Sequence, residues 1–191
     1  KGVQSKNVGA CIKHFAANNQ ETRRMSISSE VDERALREIY LAAFEDAVKE
    51  AKPWAVMCSY NQVNGTFASE NRWLLHDVLK EEWGYDGLVV TDWGAVNDRV
   101  KGLMAGLDLE MPGSGGENDR KIVAAVQSGE VPEAVLDETC ERIVSRIMTY
   151  AENRDPDAVW DKKADHALAV EAAKECMVLL KNEDHILPLS E

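Results

Sequence analysis

Basic charge, paired cysteine and long apolar runs are all scarce in this 191-residue sequence. Lysine and arginine number 22 against 34 acids, for a formal net charge of -12. The basic residues are mostly interleaved with acids, so the basic stripe that a nucleic-acid partner requires is missing. No stretch is long and apolar enough to cross a bilayer, which predicts a soluble chain with no membrane partner. The four cysteines, Cys11, Cys58, Cys140 and Cys176, have no paired metal-ligand spacing. Two of them fall inside predicted strands, as small buried hydrophobes do, so free thiols in a reducing, cytoplasmic setting are expected. His14, His76, His166 and His185 are scattered, which leaves no metal site and counts against a metal-dependent hydrolase. No cofactor is expected. The first residue is not methionine and no secretory leader follows, so a native amino terminus is not expected.

A hydrophobic content of 45% is enough for a globular core. Four short apolar runs end in polar residues. Val8–Ile12 leads into Lys13-His14-Phe15, and Trp54–Ser59 leads into Tyr60-Asn61. Gly87–Thr91 leads into Asp92-Trp93-Gly94, and Ala105–Leu109 into Glu110-Met111-Pro112. Helical patterns lie between them, and such alternation predicts βα units with a parallel sheet. One helix, with Ser29 as its cap, carries Ala35, Ile39, Ala43, Ala47 and Ala51 on one face and ends before Pro53. A second runs from about Asn71 to Trp83, with Gly84 as a left-handed cap. Two more are predicted, one near Asp119–Ser128 closed by Gly129 and one beginning at Pro132. A complete (β/α)₈ barrel needs roughly 250 residues, and four units here fill three-quarters of a shorter chain. The reading is half a TIM-like barrel over 1–152, a polar linker over 153–163, and the start of a second α/β domain over 164–191. In that last part Ala164–Cys176 reads as a helix and Met177–Asn182 as a strand.

Parallel α/β folds place chemistry at the carboxyl ends of strands, so Asp92 is the first candidate. A carboxylate there can attack, accept a proton or bind metal, although many merely cap the next helix. Trp93 offers a flat apolar wall suited to a sugar ring. Gly113, Gly115 and Gly116 lack the spacing of a phosphate cradle and read as an active-site loop.

Lys13–Glu21 (Lys-His-Phe-Ala-Ala-Asn-Asn-Gln-Glu), Asp32–Tyr40, Cys58-Ser59-Tyr60-Asn61, Thr91-Asp92-Trp93-Gly94, Asp108–Pro112 and Val178–Asn182 occur in the order found in family 3 glycoside hydrolases. The sequence most resembles the bacterial β-glucosidases of that family, over nearly its whole length. The resemblance implies a (β/α)₈-like barrel joined to an α/β sandwich domain, and a retaining, exo-acting β-glycosidase. It makes Asp92 the nucleophile that forms a covalent glycosyl-enzyme. Lys13 and His14 match the pair that bonds sugar hydroxyls, where one donates only and the other donates or accepts. Tyr60 matches a tyrosine beside the nucleophile, Trp93 would form part of the sugar wall, and Met111 an apolar edge. Glu70 and Glu110 are assigned supporting roles, because the family's acid/base comes from its second domain and is expected outside this chain. Lys13-His14-Phe15 is followed by Ala16-Ala17-Asn18-Asn19 rather than Pro-Gly-His-Gly, which counts against an aminosugar substrate.

The implied substrate is a β-linked oligosaccharide or an aryl or alkyl glucoside, with a β-xyloside as the alternative. The isolated chain is expected to be inactive, and its exposed barrel edges to invite homo-oligomers or pairing with a missing half. A non-catalytic sugar-binding or assembly half-barrel stands as the competing reading.

Overall fold

A computed structural model describes residues 1–189. The chain divides into two compact units, Lys1–Arg154 and the segment from Asp155 onward.

The first unit is built on a parallel sheet of β1 (Cys11–Phe15), β3 (Ala55–Cys58) and β6 (Leu88–Thr91), in the order β1-β3-β6. Leu109 extends it by a parallel bridge to Val90. The four βα units predicted from the sequence are therefore present, and adjacent strands are linked by helices as a half-barrel requires. The helical links are α1 (Glu33–Ala35), which continues through wider π-type turns over Leu36–Leu41 into α2 (Ala42–Ala51), the π-type helix Trp73–Glu82, and α3 (Arg99–Ala105). After these come α4 (Glu117–Ser128) and α5 (Glu133–Asn153).

The core lies between this sheet and the helices that cover it. Phe15, fully buried at the end of β1, meets Phe44 edge-on at 5.1 Å and Trp83 at 5.9 Å between ring centroids. Leu41, Val48, Val56, Leu74, Leu75, Leu79 and Val89 fill the space around it. A smaller cluster of Leu103, Ile122, Ala125 and Val131 packs α3 against α4.

Several elements depart from the sequence reading. β1 starts at Cys11 rather than Val8, so Lys13 and His14 lie within the strand and not beyond it. Gly9 passes so close to Trp54 that a Cβ there would stand 2.6 Å from the indole, which makes the segment before Cys11 a crossing point and not a strand. The cap of α1 is Asp32, whose carboxylate accepts from the Ala35 amide at 3.0 Å. Ser29 instead pairs in β2 (Ser28–Ser29), and its hydroxyl donates to the Ala17 carbonyl. The fourth strand shrinks to Leu109, because Ala105 is still helical and Gly106, at φ +104°, turns the chain out of α3. A small second sheet sits beside the strand ends. In it β2 runs parallel to β4 (Gln62–Val63), which folds back on β5 (Thr66–Phe67) through Asn64-Gly65, both at positive φ. Asn-Gly between apolar residues is a strong hairpin signal.

In the second unit, α6 (Lys162–Cys176) is capped by Asp161, which accepts from the amides of Lys163 and Ala164. Met177–Asn182, read as a strand, has no ladder partner among the described residues. A strand is defined by its pairing, and an apolar run alone does not supply one.

The cysteines also divide. All four are free, but only Cys58 is buried, and burial pushes its thiol up to about 12. Cys11, expected inside a strand and buried, sits exposed at the start of β1. Alkylation of the folded chain with iodoacetamide at pH 8 is expected to modify Cys140 and Cys176 while sparing Cys58, whose thiolate fraction there is about one in ten thousand. Peptide mass spectrometry reads the result, and equal labelling of Cys58 and Cys140 would remove Cys58 from the core.

Candidate active site

Asp92 follows β6 directly and is still tied to the sheet, since its amide donates to the Cys58 carbonyl of β3 at 3.2 Å. The two oxygens of its carboxylate have different surroundings. Oδ1 accepts from the Trp93 amide at 2.7 Å and from the Tyr60 hydroxyl at 3.1 Å. Oδ2 lies 3.2 Å from His14 Nε2, and the carboxylate side chain is only 15% exposed. Three strand ends thus converge on one carboxylate: His14 from β1, Tyr60 just beyond β3 and Asp92 just beyond β6.

Tyr60 Oη also lies 3.0 Å from the Trp93 carbonyl. A phenol has one hydrogen, so it serves one of these two acceptors at a time. Partial burial raises the Tyr60 phenol above its ordinary value, and the hydrogen bond to Asp92 and that residue's charge add to the shift. It therefore stays protonated as a donor.

The loop after β6 is fixed by backbone bonds. The Thr91 hydroxyl accepts from the Met111 amide at 2.8 Å and lies 3.1 Å from the Met111 carbonyl, which also accepts from the Gly94 amide at 2.9 Å. Gly94 adopts φ +80°, so glycine is required at that turn. Trp93, next to Asp92 in the chain, is 58% exposed, and Met111 is half-buried.

Lys13 stands apart from Asp92. It is exposed and has no hydrogen-bond or ion-pair partner among the described residues, and with His14, Asn18, Tyr40 and Phe44 it lines a cavity of about 290 Å³. Glu70 and Glu110 are engaged elsewhere. Glu70 accepts from the Asp98 amide at 2.7 Å, bracing the loop between Trp93 and α3. Glu110 accepts from Asn118 at 2.8 and 3.0 Å and lies 4.0 Å from Arg99. Neither shares a partner with Asp92.

Two features escaped the sequence reading. Ser59 and Asn61, on either side of Tyr60, clasp the chain that follows β1. The Ser59 hydroxyl donates to the Ala16 carbonyl, and the Asn61 amide to those of Ala16 and Ala17. Alternation along an extended segment sends Tyr60 the other way, toward Asp92. The polar triplet Ser-Tyr-Asn ending an apolar strand was the available signal. The second feature is Arg24, whose guanidinium lies 4.9 Å from the Tyr60 ring centroid. Nothing in the local pattern marks it. No group of three or more potential metal ligands occurs among the described residues.

The chain is 62% identical to the thermostable beta-glucosidase B of Acetivibrio thermocellus over all of its own length and 25% of the relative's. It is 49% identical to an exo-alpha-(1->6)-L-arabinopyranosidase of Bifidobacterium longum, with the same shares covered. The solved structure of beta-glucosidase 3B from Thermotoga neapolitana in complex with glucose superposes with a TM-score of 0.88 at 47% identity, over 100% of this chain and 28% of that one. The chain therefore spans about a quarter of the length of the curated relatives it matches. Residues 1–146 match the profile described as the glycosyl hydrolase family 3 N terminal domain, and the chain belongs to that family.

Proposed function

We propose that this chain carries the nucleophilic half of a retaining, exo-acting β-glucosidase that releases terminal non-reducing β-D-glucosyl residues. The observation that carries the reading is the asymmetry of the Asp92 carboxylate. Oδ1 is anchored by two donors, whereas among the described residues Oδ2 meets a single polar partner, His14. The free oxygen attacks the anomeric carbon as the glycosidic C–O bond breaks, and the leaving oxygen takes a proton from a carboxylic acid. Oδ1 then becomes the carbonyl oxygen of the glycosyl ester. When water opens that ester, charge returns to the carboxylate, and the Trp93 amide and Tyr60 hydroxyl are already in place to receive it. His14 leaves Oδ2 to bond a glycone hydroxyl, with Lys13 on the same strand as the second reader. Trp93 supplies the stacking wall and Met111 an apolar edge.

Glucose is preferred over xylose as the glycone because the relative of highest identity quoted above is named a beta-glucosidase and a structural neighbour holds glucose. The arabinopyranosidase relative keeps pentopyranosides in the comparison.

Residues 1–152 serve in this proposal as the C-terminal half of the catalytic barrel. Residues 153–163 form a linker, and a second α/β domain opens at 164. A retaining site needs its two carboxyl groups about 5–5.5 Å apart. Glu70 and Glu110 are committed to Asp98 and Asn118, so the acid/base is assigned to another part of the enzyme.

The test is to exchange the matching 191 residues of the Acetivibrio thermocellus enzyme for this chain and assay the graft beside the chain alone. The graft is expected to hydrolyse an aryl β-D-glucoside faster than the β-D-xyloside or the α-L-arabinopyranoside, and the chain alone to show negligible turnover. A folded graft without glucosidase activity overturns the functional reading. Turnover by the chain alone overturns the placement of the acid/base.

A further inference from the structure

The segment 18–27 leaves the site after Ala17 and returns to it at β2. Both of its ends are tied to the two residues that follow Tyr60. Asn61 holds the Ala16 and Ala17 carbonyls, and the Gln62 amide donates to the Ile27 carbonyl at 2.9 Å. Within the loop, the Asn18 amide lies 3.4 Å from Glu21 Oε1, and Glu21 Oε2 accepts from Arg24 Nη1 at 2.9 Å. Arg24 is thereby directed back over the Tyr60 ring, with its guanidinium carbon 4.9 Å from the centroid. Tyr60 in turn reaches Asp92 Oδ1. Asn18, Glu21, Arg24, Tyr60 and Asp92 form one continuous relay from the loop to the carboxylate.

We propose that Arg24 is a positioning residue for Asp92, acting through Tyr60. This rests on the β-glucosidase reading above. A guanidinium stacked on a phenol ring does two things. It limits rotation of a ring whose hydroxyl must choose between Asp92 Oδ1 and the Trp93 carbonyl, 3.1 and 3.0 Å away. Its charge also opposes the rise in the Tyr60 phenol caused by burial and by Asp92, which makes the hydroxyl a stronger donor. Glu21 keeps the guanidinium in one orientation and takes only one of its five N–H groups.

The experiment uses the graft and reads the rate at which a 2-deoxy-2-fluoro-β-glucoside labels Asp92, which isolates formation of the glycosyl-enzyme. Arg24→Ala is expected to slow labelling about 2- to 5-fold, the range a stacked cation whose side chain is 44% exposed supports, and Arg24→Lys to recover part of the loss. Tyr60→Phe keeps the ring but removes the hydroxyl. In that background Arg24→Ala is expected to leave the rate unchanged, because the group it acts through is gone. Circular dichroism of each variant checks the fold. Equal losses from Arg24→Ala in both backgrounds, or no loss in the parent graft, overturn the proposal, and a loss confined to KM for a disaccharide places Arg24 at the aglycone instead. Absence of Asp92 labelling in the parent graft is the separate result that would sink the β-glucosidase reading.

Discussion

Asp92→Asn in the graft is expected to lose turnover of an aryl β-glucoside by on the order of 10⁴-fold or more, the scale seen when a nucleophile is removed and only binding and electrostatics remain. The substitution changes chemistry and little else. The amide oxygen still accepts from the Trp93 amide and the Tyr60 hydroxyl, and the amide nitrogen stands where Oδ2 met His14. An amide is a poor nucleophile of nearly the same shape, so the fold persists while covalent labelling by the fluorosugar disappears. Asp92→Ala goes further, because it opens space beside the anomeric carbon for an added anion. With azide, this variant is expected to form the α-glucosyl azide from an activated β-glucoside, since the anion attacks from the face the carboxylate vacated. Labelling of the parent graft at Glu70 or Glu110, or full turnover by Asp92→Asn, would reassign the nucleophile.

Strand ends were legible in this sequence because an apolar run followed by polar residues is a local pattern, and the pattern reports the end of a buried strand. The pattern set Asp92, Tyr60 and His14 at strand ends and singled out Asp92, the family resemblance gave Tyr60 and His14 their roles, and the structure brings all three together. Strand beginnings were less legible. Val8, Gly9 and Ala10 are apolar enough to belong to β1, yet Gly9 is there because Trp54 leaves no room for a side chain. Ser29 looked like a cap because a hydroxyl precedes an acidic first turn, but its partner is the distant Ala17 carbonyl and Asp32 serves the helix instead. The stacking of Arg24 on Tyr60 joins residues 36 positions apart and leaves no periodic trace at either. What the sequence hid was long-range pairing, which no window of neighbouring residues records.

Asp108 is the extreme case, a carboxylate with no exposed side-chain surface that the sequence presents only as the polar member of a Leu-Asp-Leu run. Lys80 Nζ lies 3.1 and 3.2 Å from its two oxygens, Arg142 Nε 2.9 Å from Oδ1, and the Val89 amide donates to Oδ2 at 2.8 Å. It joins the Trp73–Glu82 helix, β6 and α5 at one point. Asp108→Ala strips the buried Lys80 ammonium of its carboxylate, while the partly exposed Arg142 keeps Glu138 at 3.8 Å, and the expected loss is about 3–5 kcal/mol, measured as the urea midpoint of the graft by tryptophan fluorescence. The double variant Asp108→Leu/Lys80→Met is expected to recover much of that loss, because it removes a stranded charge and leaves apolar volume. Burial already lowers Lys80 below its ordinary 10.5, and the Asp108 charge is the largest influence opposing that shift. Without Asp108 the depression deepens, so above the folded value the unfolded chain holds the extra proton and stability rises with pH. The deficit of Asp108→Ala relative to the parent should therefore narrow as pH climbs toward 10.5. A deficit that neither narrows with pH nor yields to Lys80→Met would mean that the cost lies in lost packing rather than in an unpaired buried ammonium.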